Sequence, residues 1–498
     1  MICRAMKKQI TIAVGMALVG SAAGMSIEAL PTHSVFYAGL KDQPCLRVQV
    51  EAESGERLRQ LVFSAEASSK GAVSGAALYK SSVPFFSLHA EGEAAAVKVG
   101  KAGTTGGTMV FKTDKVELSK GTNYFWLVYD VAGGAKGGEK ICGVLRKAVD
   151  GNGSEVSPNR KLDGTRRADG KKATPAEVFR FRYRIAPYVR PKWACVHNKR
   201  MFNAEHLKNM TDFIVFGYTH KGVEIAPAND ALHREKDLAP ECLAMARKLR
   251  SEGAARILAG FTCNERNNPM SALMHNAEKR RALAHNMAKF IMDNGYEGID
   301  IDWEYPAENR RFPAKMTWRK FAMFLAELRA ELAGTGASIS IAVTTRYDAP
   351  TIEVLDGVDF INSMSYGRPG EHSTKADAQT DIQFLLKRKV PAVKVVLGLP
   401  FFSRDTKQRH DDKGGCGYSS ILGFYPHISP SDNTFTHPET KAEHFFNGES
   451  LIKDKCKTFV LQQKIGGVCI WAYDTDVPMS SPKSLSKALY SVIRQAKK

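Results

Sequence analysis

From Pro191 onward the chain alternates short apolar runs with amphipathic stretches, and this alternation constrains the fold more than any other feature. Strands are expected at Phe213–Phe216, Ile257–Phe261, Glu297 to about Trp303, Ser338–Val343, Val358–Met364, Val393–Leu399 and Gly467–Trp471, with Trp193–Val196 counted as the first. Helical faces lie between them. Leu283, Met287, Phe290 and Ile291 recur at i, i+4, i+7 and i+8, and Gly295 follows where a helix stop belongs. Phe321, Phe324, Leu325, Leu328 and Leu332 form a second face before Gly334. Ser481-Pro482 opens a last helix with the face Leu485, Leu489 and Val492. Eight strands in such units predict a closed (β/α)₈ barrel, a TIM barrel. A doubly wound open sheet is the rival, and no glycine-rich dinucleotide loop supports it.

A chain of 498 residues is too long for one core. The segment 31–150 reads as all-β. Leu46, Val48 and Val50 alternate with Arg47, Gln49 and Glu51, and further β-rich runs occur at Met109–Phe111 and Tyr124–Tyr129. The expected architecture is therefore multidomain. It comprises a signal peptide (1–24), an all-β sandwich (31–150), a polar linker (151–187) and the barrel (188–498). The short β-like run Phe179–Ile185 bridges linker and barrel.

The signal is read from the basic start Arg4, Lys7 and Lys8, the apolar run Ile10–Val19 and the small residues Gly20–Gly24. It implies a secreted, periplasmic or cell-surface protein. The formal net charge is +19, and three of those charges leave with the signal. Such a field attracts anionic polymers, although a solubilising surface explains it as well. No zinc-finger spacing or RNA-binding aromatic signature points to nucleic acid. After Cys3 the remaining cysteines form no CxxC pair, which argues against structural zinc. A Cys45–Cys142 disulfide is conceivable after export, as are buried free thiols.

The chemistry concentrates in Glu297-Gly298-Ile299-Asp300-Ile301-Asp302-Trp303-Glu304-Tyr305-Pro306. On a strand, Asp300, Asp302 and Glu304 share one face, while Ile299, Ile301 and Trp303 point to the helix layer. Three carboxylates within about 13 Å of buried strand, at about 3.3 Å per residue, repel if all are ionised. At least one proton is then shared among them, which raises an apparent pKa. A glycosidase needs such a carboxyl, protonated near neutral pH. Glu304 lies nearest the C-terminal end of the strand, where barrel active sites open.

This segment resembles the signature of glycoside hydrolase family 18, the chitinases and related endo-β-N-acetylglucosaminidases. Ile361-Asn362-Ser363-Met364-Ser365-Tyr366 resembles the family's sixth strand. Val396-Leu397-Gly398-Leu399-Pro400-Phe401-Phe402-Ser403-Arg404 resembles its seventh strand and loop, and Gly466 to Asp474 its eighth. The run Gly121–Asp130 resembles a β-sandwich found at the N-terminus of some bacterial sialidases, which implies either an accessory module that contacts carbohydrate or a spacer.

The family resemblance implies a retaining, substrate-assisted hydrolysis of β-1,4-linked N-acetylglucosamine, of the chitin or chitooligosaccharide type. Glu304 would be the acid, and Asp302 would orient the N-acetyl group. Asp300 would tune Asp302 by sharing a proton, and Tyr366 would bond the N-acetyl oxygen. Trp471 would floor the sugar site, with Met364, Arg404 and Tyr305 also binding substrate. No metal or other cofactor is implied.

The alternatives are an endo-β-N-acetylglucosaminidase acting on the chitobiose core of N-glycans and a non-catalytic chitinase-like lectin. Three departures from the family pattern stand out. Gly367 replaces the aspartate that usually follows the sixth-strand tyrosine, removing a carboxyl from the site. The third-strand serine-glycine pattern is reduced to Leu258-Ala259-Gly260-Phe261. The stretch between the seventh and eighth strands is short, which implies a shallow groove.

Overall fold

The computed structural model describes residues 25–102, 107–158, 174–190, 210–228, 244, 256–265, 269–306, 311–346, 349–407 and 415–494. The expected signal and the run Trp193–Val196 lie outside these residues.

The N-terminal region is a two-sheet sandwich. One sheet has the order β1 (Ser26–Pro31), β3 (Gln43–Ala52), β8 (Gly121–Val131), β5 (Val73–Ser81) and β6 (Val97–Ala102). The facing sheet runs β11 (Glu155–Val156), β10 (Val144–Asp150), β4 (Leu58–Ser64) and β7 (Thr108–Lys112). All pairings in both sheets are antiparallel. Leu46, Val48 and Val50 enter the core between the sheets, beside Phe63, Phe111, Phe125 and Leu127, as their period-two spacing requires. The other face of β8 is also covered. Trp126 and Val128 pack with Ala77 and Tyr79, and Trp126 Nε1 donates to Ser81 Oγ at 2.8 Å. Cys45 and Cys142 are buried here as free thiols, not as a disulfide.

A third small sheet joins β2 (Val35–Phe36), β12 (Ala176–Val178) and β9 (Lys140–Ile141). Part of the stretch expected to be linker is therefore strand.

The C-terminal region is a closed barrel of eight parallel strands. These are β13 (Arg184–Val189), β14 (Asp212–Lys221), β16 (Arg256–Asn264), β17 (Gly298–Glu304), β18 (Ser338–Val343), β19 (Phe360–Ser363), β20 (Val395–Pro400) and β24 (Gly467–Trp471). β13 closes the ring by pairing with both β14 and β24. The first strand is thus Arg184–Val189, not Trp193–Val196, and it begins inside the expected linker. The other seven strands fall within a few residues of their expected places. The short strand β15 (Glu224–Pro227) adds antiparallel to β14. Between the seventh and eighth barrel strands, β21 (Arg404–Asp405), β23 (Glu443–Phe445) and β22 (Thr434–Thr436) form a small antiparallel sheet.

The helices Ala277–Asn294 and Ala314–Glu331 bury the apolar faces expected of them. Asn276 caps the first by accepting from the Lys279 amide, and Gly295 ends it in the left-handed conformation. Inside the ring, Ala186, Tyr188, Ile214, Phe216, Leu258, Phe360, Val396 and Cys469 fill the barrel.

The sandwich meets the N-terminal ends of the barrel strands. Asp359, just before β19, accepts from Ser34 Oγ at 3.1 Å and pairs with Arg329 at 2.9 Å. The Tyr37 hydroxyl donates to the Asp359 carbonyl at 2.7 Å. Buried Arg184 pairs with Asp212, its guanidinium 3.8 Å from the Phe360 ring centroid, and Arg256 completes the cluster at 2.6 Å from Asp212. Burial raises the proton affinity of Asp359, but Arg329 and His33 outweigh it and hold the carboxyl below the usual range. The sandwich therefore braces the end of the barrel opposite to the one where β17 delivers Glu304.

Candidate active site

β17 is fixed by its apolar residues. The Trp303 ring lies 5.5 Å from Trp318 and 5.2 Å from Phe321 in the helix layer, and its Nε1 donates to Glu265 Oε1 at 2.8 Å. With Ile299, Ile301 and Trp303 turned outward, Asp300, Asp302 and Glu304 face the barrel interior.

Asp300 is fully buried and held from three strands. Tyr188 Oη of β13 donates to Asp300 Oδ2 at 2.7 Å, and Ser340 Oγ of β18 donates to Oδ1 at 2.5 Å. Asn362 Nδ2 of β19 donates to Oδ1 at 3.0 Å and to Tyr188 Oη at 2.8 Å. Burial raises the Asp300 pKa and these donors pull it back, leaving it at about 6. Sequence reasoning missed Tyr188 and Ser340, and quoted Asn362 only as part of a motif. The available signal was a polar residue flanked by buried apolar ones, as Ser340 is by Ile339 and Ile341.

Asp302 is 8% exposed, and its Oδ1 has no hydrogen-bond partner among the described residues. Burial, then the charges of Glu304 and Asp300, push its pKa well above the carboxylate range. Burial also raises Glu304. Hydrogen bonds from Tyr305 and Asp302, and the charges of Arg404 and Arg346, oppose that rise without cancelling it. Asp300 bonds to Tyr188, Ser340 and Asn362, whereas Asp302 and Glu304 interact with each other.

The remaining residues surround this pair. Tyr366 follows β19, and the charges of Asp302 and Glu304 act on its hydroxyl. Its ring meets Phe402 edge-on at 5.9 Å. Gly398 leaves room for it, since a Cβ there would stand 2.9 Å from Tyr366 Cε1 and 2.5 Å from the Ser363 carbonyl oxygen. Half-buried Trp471 ends β24 with its ring edge-on to Phe216 at 4.9 Å and Tyr188 at 5.5 Å. Tyr305 is half-buried beside Glu304, and burial followed by the Glu304 charge raises its pKa. Met364 is buried directly after β19, its amide donating to the Val343 carbonyl at 2.7 Å. Arg404 is exposed, its guanidinium 5.7 Å from the Phe402 ring centroid. Arg346, absent from the sequence-based set, donates to the Tyr366 carbonyl at 2.6 Å.

Buried carboxylates with raised proton affinity thus stand at the C-terminal mouth of a parallel barrel, the place from which barrel active sites work. The family model for glycosyl hydrolases family 18 matches residues 188–476, and the chain belongs to that family. It is 24% identical over 267 residues to probable chitinase 2 of Drosophila melanogaster, covering 43% of this chain and 54% of that protein. It is 30% identical over 167 residues to chitinase 1 of Aphanocladium album, covering 28% and 38%. The chain thus spans about half, or less, of these relatives. Among solved structures it is similar to a chitinase from Bacteroides thetaiotaomicron, with TM-score 0.53, 18% identity and coverage of 64% of this chain and 98% of that one. The Group II chitinase catalytic domain 2 of Ostrinia furnacalis gives TM-score 0.52, 17% identity, and coverage of 63% and 97%. These likenesses carry the fold.

Proposed function

We propose that the chain hydrolyses β-1,4-linked N-acetylglucosamine of the chitin or chitooligosaccharide type by substrate-assisted catalysis with retention. The observation that carries this reading is the Asp302–Glu304 pair. Both carboxyls have raised proton affinity, and Asp302 Oδ1 is buried with an open acceptor position. A buried carboxylate oxygen calls for a donor. An N-acetyl amide N–H fills that position and turns the acetyl oxygen toward the anomeric carbon.

Glu304 protonates the glycosidic oxygen. The acetyl carbonyl oxygen attacks C1 as the C1–O bond breaks, and an oxazolinium forms. Asp302 stabilises the positive charge on the ring nitrogen, and Tyr366 holds the acetyl oxygen. Asp300, fixed by its three donors, raises the proton affinity of Asp302 through its charge. Glu304, now a carboxylate, takes a proton from water as that water adds to C1, which restores the acid and leaves a β-anomer. Trp471 gives the distorted sugar an apolar floor. This route is one of the exceptions to the two-carboxylate scheme.

The sandwich acts in this reading as a brace beneath the barrel. The basic and apolar N-terminus supports export. Among the described residues no helix is long and apolar enough to cross a membrane.

The test is to incubate the protein with chitooligosaccharides and, in parallel, with an N-glycosylated protein, reading products by mass. Cleavage of the oligosaccharides supports the chitin-type reading. Release of N-glycans that leaves one GlcNAc on the protein moves the activity to the glycoprotein branch. Binding without cleavage of either substrate contradicts hydrolysis.

A further inference from the structure

Tyr366 stands in the loop between β19 and the helix Lys375–Lys387, and a buried lysine from another element grips that loop. Lys455 ends the helix Glu449–Lys455, in the stretch between the seventh and eighth barrel strands. Its Nζ donates to the Ser373 carbonyl at 2.8 Å, to Ser373 Oγ at 2.9 Å and to Asn447 Oδ1 at 2.7 Å. Asn447 Nδ2 in turn donates to the Ser373 carbonyl at 3.0 Å. An ammonium has three N–H groups, and three acceptors meet them here. None of the three is a carboxylate. The nearby acids Asp377 and Asp381 instead hold Arg368, at 3.1 and 2.6 Å.

Taking a charge out of water is costly, and an apolar side chain of similar volume often serves stability as well or better. Packing alone therefore does not account for a lysine here. Its bonds lead to Tyr366 from both sides. Ser373 Oγ donates to the carbonyl of Ser365, the residue before Tyr366, at 2.8 Å. His372 precedes Ser373, and its Nδ1 accepts from the amide of Gly367, the residue after Tyr366, at 3.4 Å. The His372 ring also lies 5.1 Å from Phe402, whose ring meets that of Tyr366 at 5.9 Å. Ser365, His372, Ser373 and Asn447 are buried with Lys455, where a hydrogen bond is stronger than in water.

We propose that Lys455 is a positioning residue for the hydrolysis: through Ser373 and His372 it fixes the backbone on both sides of Tyr366, and with it the place where the Tyr366 hydroxyl meets the substrate's acetyl oxygen. Lys455 touches neither substrate nor reacting atoms and acts only through the tyrosine. Misplacing a catalytic group by about 1 Å costs about 100-fold in rate. Partial release of this loop costs less, because β19 still holds its start.

The proposal rests on the hydrolase reading, and a double-mutant cycle separates the two. kcat/KM on chitotetraose is measured at about pH 6 for wild type, Lys455→Met, Ser373→Ala and Tyr366→Phe, and for each of the first two variants combined with Tyr366→Phe. At that pH the amine is protonated, burial having pulled its pKa down to about 7. Lys455→Met and Ser373→Ala are each expected to lower kcat/KM about tenfold when Tyr366 is present, and by less than about twofold in the Tyr366→Phe background. A lysine that only supports the fold lowers activity by the same factor in both backgrounds. That result, or no loss in either single variant, overturns the proposal while leaving chitotetraose hydrolysis by wild type intact. If Lys455→Met does not fold, the Ser373→Ala cycle decides alone, because it cuts the tie to Ser365 and leaves the lysine two acceptors. If wild type cleaves nothing, the hydrolase reading fails, and the same cycle is read in Kd for chitotetraose. Losses that depend on Tyr366 then uphold the positioning role, whereas equal losses in both backgrounds, or no binding, overturn it.

Discussion

Tyr188 Oη donates to Asp300 Oδ2 at 2.7 Å, joining the strand that closes the barrel to the strand that carries the carboxylates. Asn362 bonds to both residues, so the three form one buried network spanning β13, β17 and β19. Tyr188→Phe removes a donor to the Asp300 carboxylate without changing the ring packing against Trp471. A lost donor raises the Asp300 pKa further above its present value of about 6. The expected result is a limb governed by Asp300 that moves to higher pH, with kcat/KM lower by about tenfold near that limb. Rate profiles against pH, with circular dichroism as a fold control, check this.

Asp359 ties the sandwich to the barrel and neutralises Arg329 in a buried site. Asp359→Ala leaves Arg329 10% exposed with its partner gone and removes the acceptors for Ser34 Oγ and the Ile339 amide. Breaking a buried pair from one side costs about 3–5 kcal/mol. Denaturant melts should show that loss, while kcat measured well below the melting range stays within about twofold. Stability within about 0.5 kcal/mol of wild type would show that the clamp does not hold the two regions together.

Burial lowers the pKa of His33 to about 4, although its bond to Asp359 works in the opposite direction. With the ordinary value near 6.5, the unfolded chain binds a proton over this interval that the folded chain does not. Stability from this residue is therefore present above pH 6.5 and falls as pH drops toward 4. Compared with His33→Gln, which does not titrate, wild type should lose about 1.4 kcal/mol per pH unit across that window. Paired denaturant melts at pH 7, 5.5 and 4.5 measure the difference. A difference independent of pH would mean that His33 takes up its proton in the folded state.

The parts of the fold legible in the sequence were those set by local periodicity. The alternation in β17 placed its three carboxylates on one face and Trp303 on the other, because strand geometry alone decides that. Seven barrel strands and the inward set Leu46, Val48 and Val50 followed in the same way. The first barrel strand was misplaced because Arg184 does not read as the start of a buried strand. Its charge is neutralised by Asp212 and its guanidinium stacks on Phe360, neither of which is near it in sequence. Tyr188 and Ser340 reach Asp300 only once the ring closes, so the one local sign, a polar Ser340 between Ile339 and Ile341, does not tie either residue to the carboxylate. Arg346 lies after β18 in a loop with no periodic signal, and only its bond to the Tyr366 carbonyl, made in the folded chain, brings it to the site.

The central claim is that Glu304 is the acid and the substrate's own acetyl group the nucleophile. The direct test follows chitotetraose hydrolysis by proton NMR in the first minutes, with wild type and Glu304→Gln side by side. The account predicts that wild type releases β-anomer first and that Glu304→Gln folds normally but is slower by on the order of 10³-fold. Initial release of α-anomer, or near-wild-type rates from Glu304→Gln, would contradict it.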